Sequence, residues 1–127
     1  MTNEAQPNIH FLIPMARVKD VQKSMAFYKK LGFDPVHVGR EDDGHCYWTH
    51  LRSGKAHLML SCFEEGVDPE KQGVLFYMYA ENLVKLREDL IAQGVKCSEI
   101  EPRFYMPKGE MCLNDIDGYM ILVGQSD

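Results

Sequence analysis

The sequence predicts an α+β fold made of two tandem copies of one module, a strand followed by a helix and then several strands. Two observations predict it. Residues 18–34 (VKDVQKSMAFYKKLGFD) and 80–96 (AENLVKLREDLIAQGVK) superpose at an offset of 62 in a chain of 127 residues. Asp20 then meets Asn82, Val21 meets Leu83, Tyr28 meets Leu90, Gly32 meets Gly94 and Phe33 meets Val95, so caps, apolar positions and stops agree. An apolar, strand-like run precedes each copy (residues 9–18 and 74–80), and short strand-like runs follow each. A pseudo-two-fold chain of this kind is expected to hold its ligand between its halves.

Each element has a local reason. Asp20 suits an N-cap because its carboxylate accepts from the free amides of the first helical turn, and Gly32 suits the left-handed position that ends a helix. A helix over 21–31 sets Val21, Met25, Tyr28 and Leu31 in an apolar stripe and leaves Lys19, Lys23, Lys29 and Lys30 in water. In the second copy Leu83, Leu86, Leu90 and Ile91 make the stripe, with Asn82 as cap and Gly94 as stop. Both stripes require a sheet to lie on. Strands are expected over 9–18, 35–38, 45–52, 56–63, 74–80, 96–100, 110–113 and 119–124, with hairpin turns at Ser53-Gly54 and Asp115-Ile116-Asp117-Gly118. The charged stretch 64–73 reads as a linker between module one (about 9–63) and module two (about 74–124) of one domain spanning 1–127. Residues 102–109 read as a loop, unusual in carrying Phe104 and Tyr105.

Composition excludes several classes. At 14.6 kDa the chain is one domain's worth, long enough to bury roughly two thirds of its unfolded surface. Its 45% hydrophobic and 26% charged residues are those of a soluble protein, and no apolar run approaches the roughly 20 residues of a membrane helix. The polar start MTNEAQPN is unlike a signal peptide, so a cytoplasmic location is expected. Cys46, Cys62, Cys97 and Cys112 form no CxxC pair and read as free thiols. A net charge of −5 disfavours nucleic acid and mildly favours cationic ligands. No GxSxG elbow, Gly-rich phosphate loop or HExxH is present, so no catalytic residue is assigned.

Asp20, Ser24, Phe27, Tyr28, Leu31, Gly32 and Phe33 in the first helix, with Asp115, Asp117 and Gly118 before the last strand, form a pattern that resembles the vicinal oxygen chelate superfamily. That group contains glyoxalase I, extradiol dioxygenases, and fosfomycin- and bleomycin-resistance proteins. The resemblance implies two βαβββ modules forming a half-open barrel around a central groove. In the metal enzymes of the group, His, Gln, Glu or Tyr stands at one inward position on each of four strands. Those positions map to Ile13, Met59, Leu75 and Leu122. Ile and Leu offer no donor, and a thioether suits copper(I) rather than zinc, nickel or iron(II). Neither a metal nor another cofactor is therefore expected. His57, on the same strand face as Met59, and His10, three residues before Ile13, are the nearest imidazoles. Pro7-Asn8, the segment LMLSCF (58–63) and the ending GEMCLNDIDGYMILVGQ look most like the metal-free bleomycin-resistance branch, whose members are dimers that sequester a bulky cationic glycopeptide at the subunit interface.

If those four positions face the groove, the period of two puts Met15, His57, Ser61, Tyr77, Tyr79 and Met120 there as well, and sends Leu12, Leu58, Leu60, Phe76, Met78, Ile121 and Val123 under the helices. Tyr77 and Tyr79 are the first candidates for ligand contact, or else aromatics of the core or a dimer interface. Trp48 stacks a planar ligand or simply packs in its strand. Phe104 and Tyr105, flanked by Arg103 and Lys108, suggest a lid. Glu110 is the carboxylate best placed to meet a cationic group, its alternative being a surface ion pair. Glu99 and Glu101 alternate on one strand face and add negative potential or form a solvated edge. His37, His45 and His50 lack ligand-like spacing and read as structural or surface residues. The expected function is metal-independent binding of a small, by preference cationic, organic molecule by a homodimer, with no membrane or nucleic-acid partner. The competing expectations are a metal-dependent lyase or dioxygenase that recruits His57, His10 or Glu110, and a noncatalytic regulatory or interaction module.

Overall fold

The computed structural model describes residues 8, 9, 11–62 and 68–127. His10, Phe63 and residues 64–67 of the expected linker lie outside the described residues. The first module contains β1 (Met15–Arg17), α1 (Val21–Lys30), β2 (Asp34–Arg40), β3 (Cys46–Ser53) and β4 (Ala56–Ser61). After a short 3₁₀ turn (Pro69–Lys71) the second contains β5 (Leu75–Ala80), α2 (Leu83–Ala92), β6 (Glu101–Arg103), β7 (Met106–Asn114) and β8 (Met120–Gln125). Each module is a four-stranded sheet, ordered β1-β4-β3-β2 and β5-β8-β7-β6. In both, the first strand runs parallel to the last and the remaining pairs are antiparallel. The fold is α+β with paired βαβββ modules, and the sheets are not closed into a barrel.

The two helices begin and end 62 residues apart, as the sequence repeat requires. Asp20 accepts from the Lys23 amide and Asn82 from the Lys85 amide, each at 3.1 Å. Gly32 and Gly94 close the helices with φ of +94° and +83°, a left-handed conformation that a Cβ would strain. Val21, Met25 and Tyr28 of α1 and Leu83 and Leu90 of α2 are buried, together with Leu58, Leu60, Ile121 and Val123 on the sheets. That is the helix-facing side expected from strand alternation. Ile91 is the exception in the second stripe: it is exposed, while Leu86 packs against the core as expected.

A buried polar node ties α1 to the turn between β7 and β8. Ser24 Oγ donates to Asp117 at 3.0 Å and the Tyr28 hydroxyl donates to Asp115 at 2.6 Å. Asp115 also receives the amides of Asp117 and Tyr119, and the Tyr119 hydroxyl donates to the Arg17 carbonyl. Each carboxylate thus meets several donors, which a buried carboxylate needs. The helix and turn residues that carry the resemblance are therefore fasteners between the two modules.

Three strand expectations change. The first strand begins at Met15 rather than at residue 9, because Pro14 has no amide hydrogen to continue the ladder and contributes only its carbonyl, to Met59 N. Leu12, expected under a helix, is consequently 84% exposed. Residues 96–100 form no strand: the Ser98 amide donates to the Cys112 carbonyl, but the Ser98 hydroxyl, rather than a backbone carbonyl, takes the Cys112 amide in return, and the ladder begins only at Glu101. Residues 102–109 are mostly a hairpin rather than a loop, since Arg103 pairs with Met106 around a turn at Phe104-Tyr105. The β3–β4 hairpin turns at Gly54-Lys55, between the paired Ser53 and Ala56.

Candidate functional site

The faces turned away from the helices are open, and register orders their side chains into rows. On the second sheet, Leu75, Met120 and Asn114 form one row, Tyr77, Leu122 and Cys112 the next, and Tyr79, Gly124, Glu110 and Glu101 the third. On the first sheet the corresponding rows are Met15, Met59, His50 and His37, then Arg17, Ser61, Trp48 and Gly39. Trp48 lies opposite Ser61 as Glu110 lies opposite Gly124. The indole and the carboxylate therefore occupy equivalent positions in the two modules.

Glu110 is only 5% exposed although it stands on the open face. The Tyr77 hydroxyl donates to its Oε2 at 2.6 Å and the Tyr105 hydroxyl to its Oε1 at 2.9 Å. Arg103 Nε approaches the same Oε1 at 3.7 Å. Burial, and then the bond to Glu110, raise the Tyr77 pKa; the bond to Glu110, and then burial, raise that of Tyr105. Both phenols therefore remain donors throughout the physiological range. Gly124 makes this packing possible: a Cβ there would stand 2.6 Å from Met106 Cε and 3.1 Å from the Tyr77 hydroxyl.

The remaining sequence candidates are spread around this centre. Tyr79, 67% exposed, lies beside Tyr77 with ring centroids 5.2 Å apart and planes inclined at 47°. Phe104 is 98% exposed and meets the edge of Tyr105 at 5.2 Å. The tyrosine of this pair thus turns inward to the carboxylate while the phenylalanine faces solvent. Met120 lies two rows from Glu110. Met15, His57 and half-buried Trp48 belong to the first sheet. Glu99 pairs with Arg87 at 3.4 Å and Glu101 with Arg103 at 3.6 Å, and both line the cavity on which Glu110 opens. A cavity of about 240 Å³ opens on Arg103, Glu110, Cys112 and Leu122. A larger cleft of about 760 Å³ passes Tyr77 and Tyr79 toward Lys85 and Asp89 of α2.

Sequence spacing missed the grouping of histidines on the first sheet. His50 Nε2 and His57 Nδ1 are 2.9 Å apart, and the ring of His37 lies 6.2 Å from that of His50. The signal was available in the hairpin: with Ser53 paired to Ala56, His50 falls opposite Met59 and one diagonal from His57.

Residues 9–123 match the family model of the Glyoxalase/Bleomycin resistance protein/Dioxygenase superfamily. The chain belongs to this superfamily. No curated protein matches the sequence. Among solved structures, the chain is similar to a bleomycin resistance determinant encoded on the transposon Tn5, at 20% identity and a TM-score of 0.76, covering 94% of this chain and 99% of that one. A bleomycin-binding protein complexed with bleomycin gives 20% identity and a TM-score of 0.72 over 94% and 100% of the two chains. The fosfomycin resistance protein FosX from Listeria monocytogenes gives 11% identity and a TM-score of 0.72 over 94% of each. These likenesses establish a shared fold.

The positions that the resemblance assigns to metal ligands hold Ile13, Met59, Leu75 and Leu122, none of them a nitrogen or oxygen donor. Among their neighbours in register, Met15 and Met120 offer no nitrogen or oxygen, the Tyr77 hydroxyl is committed to Glu110, and His50, opposite Met59, supplies an imidazole on the first sheet alone. Among the described residues, no three His, Cys, Asp or Glu side chains are grouped to hold a metal ion. A divalent centre of the glyoxalase or dioxygenase type does not fit this donor set.

Proposed function

We propose that this superfamily member binds a small organic cation by sequestration, without a metal, on the open face of its second sheet. The observation that carries the reading is the nearly buried carboxylate of Glu110 at the foot of an aromatic surface made by Tyr77, Tyr79 and Tyr105. A carboxylate hydrogen-bonded by phenols presents little area to water, and phenol faces attract cations through the ring quadrupole. The cavity at Glu110 takes a single cationic group, and the rest of the ligand lies over the exposed ring of Tyr79.

Likeness to a protein complexed with bleomycin supports a ligand role for this fold. The proposed active form is a homodimer. Met15, Leu75, Tyr79 and Met120 leave large apolar side chains exposed on the two open faces, a pattern that favours cover by a second copy.

The test compares phenyltrimethylammonium with its neutral isostere tert-butylbenzene, and bleomycin as a larger cation, by calorimetry on wild type and Glu110→Gln. Wild type is expected to prefer the charged ligand at least tenfold and to bind bleomycin, and Glu110→Gln to lose that preference. Equal binding of charged and neutral probes by wild type sinks the proposal, and so does a preference that survives in Glu110→Gln.

A further inference from the structure

The first sheet carries a second set of chemically competent side chains, on a different module from the Glu110 site. His50 and His57 present ring nitrogens to each other at 2.9 Å, their ring centroids 5.1 Å apart. Both rings belong to the open face and are half-buried. Met59, also half-buried, lies directly opposite His50 in the β3–β4 ladder and two residues from His57 on the same strand face. Directly opposed residues have Cβ atoms roughly 5 Å apart, within reach of a thioether on three rotatable bonds.

We infer that His50, His57 and the Met59 thioether form a copper site. The imidazole pair, 2.9 Å apart as a hydrogen bond, opens by a few tenths of an ångström to the roughly 3.3 Å that two nitrogens bound about 2.05 Å from one metal at a tetrahedral angle require. Two considerations select the ion. A thioether is a soft ligand that binds copper(I) and adds little for zinc or manganese. Imidazoles favour copper over zinc in the divalent series as well, so the same three donors hold either oxidation state of copper more tightly than zinc.

In the metal-free pair, one of the two facing nitrogens carries a hydrogen. On metal binding that hydrogen moves to the other nitrogen of its own ring and the two rings turn until both lone pairs converge on the ion, without net proton release. His37 lies close enough to the pair to reinforce its environment, but its ring remains outside the bonded pair.

The experiment is anaerobic titration of tag-free protein with copper(I), in competition with bathocuproine disulfonate, followed by NMR of methionine methyl and histidine ring signals. The proteins compared are wild type, His50→Asn/His57→Asn and Met59→Leu, each verified as folded by circular dichroism. The four free cysteines are common to all of them, so a difference in stoichiometry counts this site alone. Wild type is expected to retain one equivalent more than the double histidine variant. Met59→Leu should release copper(I) at competitor concentrations at least tenfold lower, and the Met59 methyl should shift together with the His50 and His57 rings. Equal stoichiometry in wild type and the double variant overturns the site. An unmoved Met59 methyl, or zinc retention that equals copper retention, overturns the assignment of the thioether and of the ion.

Discussion

The Tyr28 hydroxyl donates to Asp115 at 2.6 Å across 87 residues of sequence, joining the helix of one module to the final turn of the other. Both residues are buried, and Tyr28 is fully so. Tyr28→Phe preserves the ring and its edge contacts with Phe27 and Phe33 but takes one donor from Asp115. An unsatisfied buried group costs about 1–3 kcal/mol, more when charged. Tyr28→Phe is therefore expected to lower stability by about 2 kcal/mol or more. Urea denaturation checks this; a loss below about 0.5 kcal/mol would show that the bond is redundant among the donors to Asp115.

Alkaline pH should act through four phenols at once. Burial is the leading cause of the raised pKa values of Tyr28, Tyr77 and Tyr119, and the bond to Glu110 is the leading cause for Tyr105. Each folded value lies above the ordinary 10.0, so the folded chain keeps protons that the unfolded chain releases. Their contribution to stability is complete below about pH 10 and is lost as pH rises from there through the folded values. Phenolate absorbance from these four should develop together with the loss of far-UV circular dichroism. Full phenolate absorbance in a chain that is still folded would contradict the assigned burial.

Gly124→Ala tests how tightly the Glu110 site is assembled. The added methyl meets Met106 and the Tyr77 hydroxyl and has to push one of them away. The Met106 methyl is the free end of a flexible side chain and swings aside at little cost, whereas the Tyr77 hydroxyl has to give by a few tenths of an ångström. The variant is expected to lose less than about 1 kcal/mol of stability and to weaken cation binding by loosening Tyr77 from Glu110. Thermal melts and calorimetry measure the two effects, and unaltered binding would show that Met106 alone yields.

Core and site should separate cleanly under truncation. Leu60 is fully buried, so Leu60→Ala is expected to cost about 2–5 kcal/mol. Tyr79 stands on the open face, so Tyr79→Ala should leave the melting temperature within about 2 °C while weakening cation binding. Equal destabilisation by both substitutions would refute the division into helix-facing and open faces.

Much of this fold was legible in the chain because its strongest signals are local. The caps Asp20 and Asn82, the stops Gly32 and Gly94 and the two apolar stripes act within one helical turn, and the structure keeps all but Ile91 in place. Strand alternation likewise separated Leu58, Leu60, Ile121 and Val123 from the open face. Signals set by tertiary pairing were not legible in this way. The apolar run at 9–14 looks like a strand, yet Pro14 limits its pairing, and the substitution of the Ser98 hydroxyl for a carbonyl has no periodic signature. Glu110 was recognised as a candidate, but its burial depends on Tyr77 and Tyr105 arriving from two other segments, Tyr77 from 33 residues away. His50 and His57 were separable from the other histidines only by counting outward from the Gly54-Lys55 turn.

Trp48 and Glu110 occupy one address in two copies of a module. Duplication gave the molecule two drafts of the same surface on a shared folding scaffold, fastened through Ser24 and Tyr28 of α1 to Asp117 and Asp115. Because the fastening and the surfaces use different residues, each draft is free to be rewritten without loosening the other. One has become an indole beside imidazoles and thioethers, the other a carboxylate among phenols. A family built this way can acquire a new chemistry on one half while the other half keeps an old one.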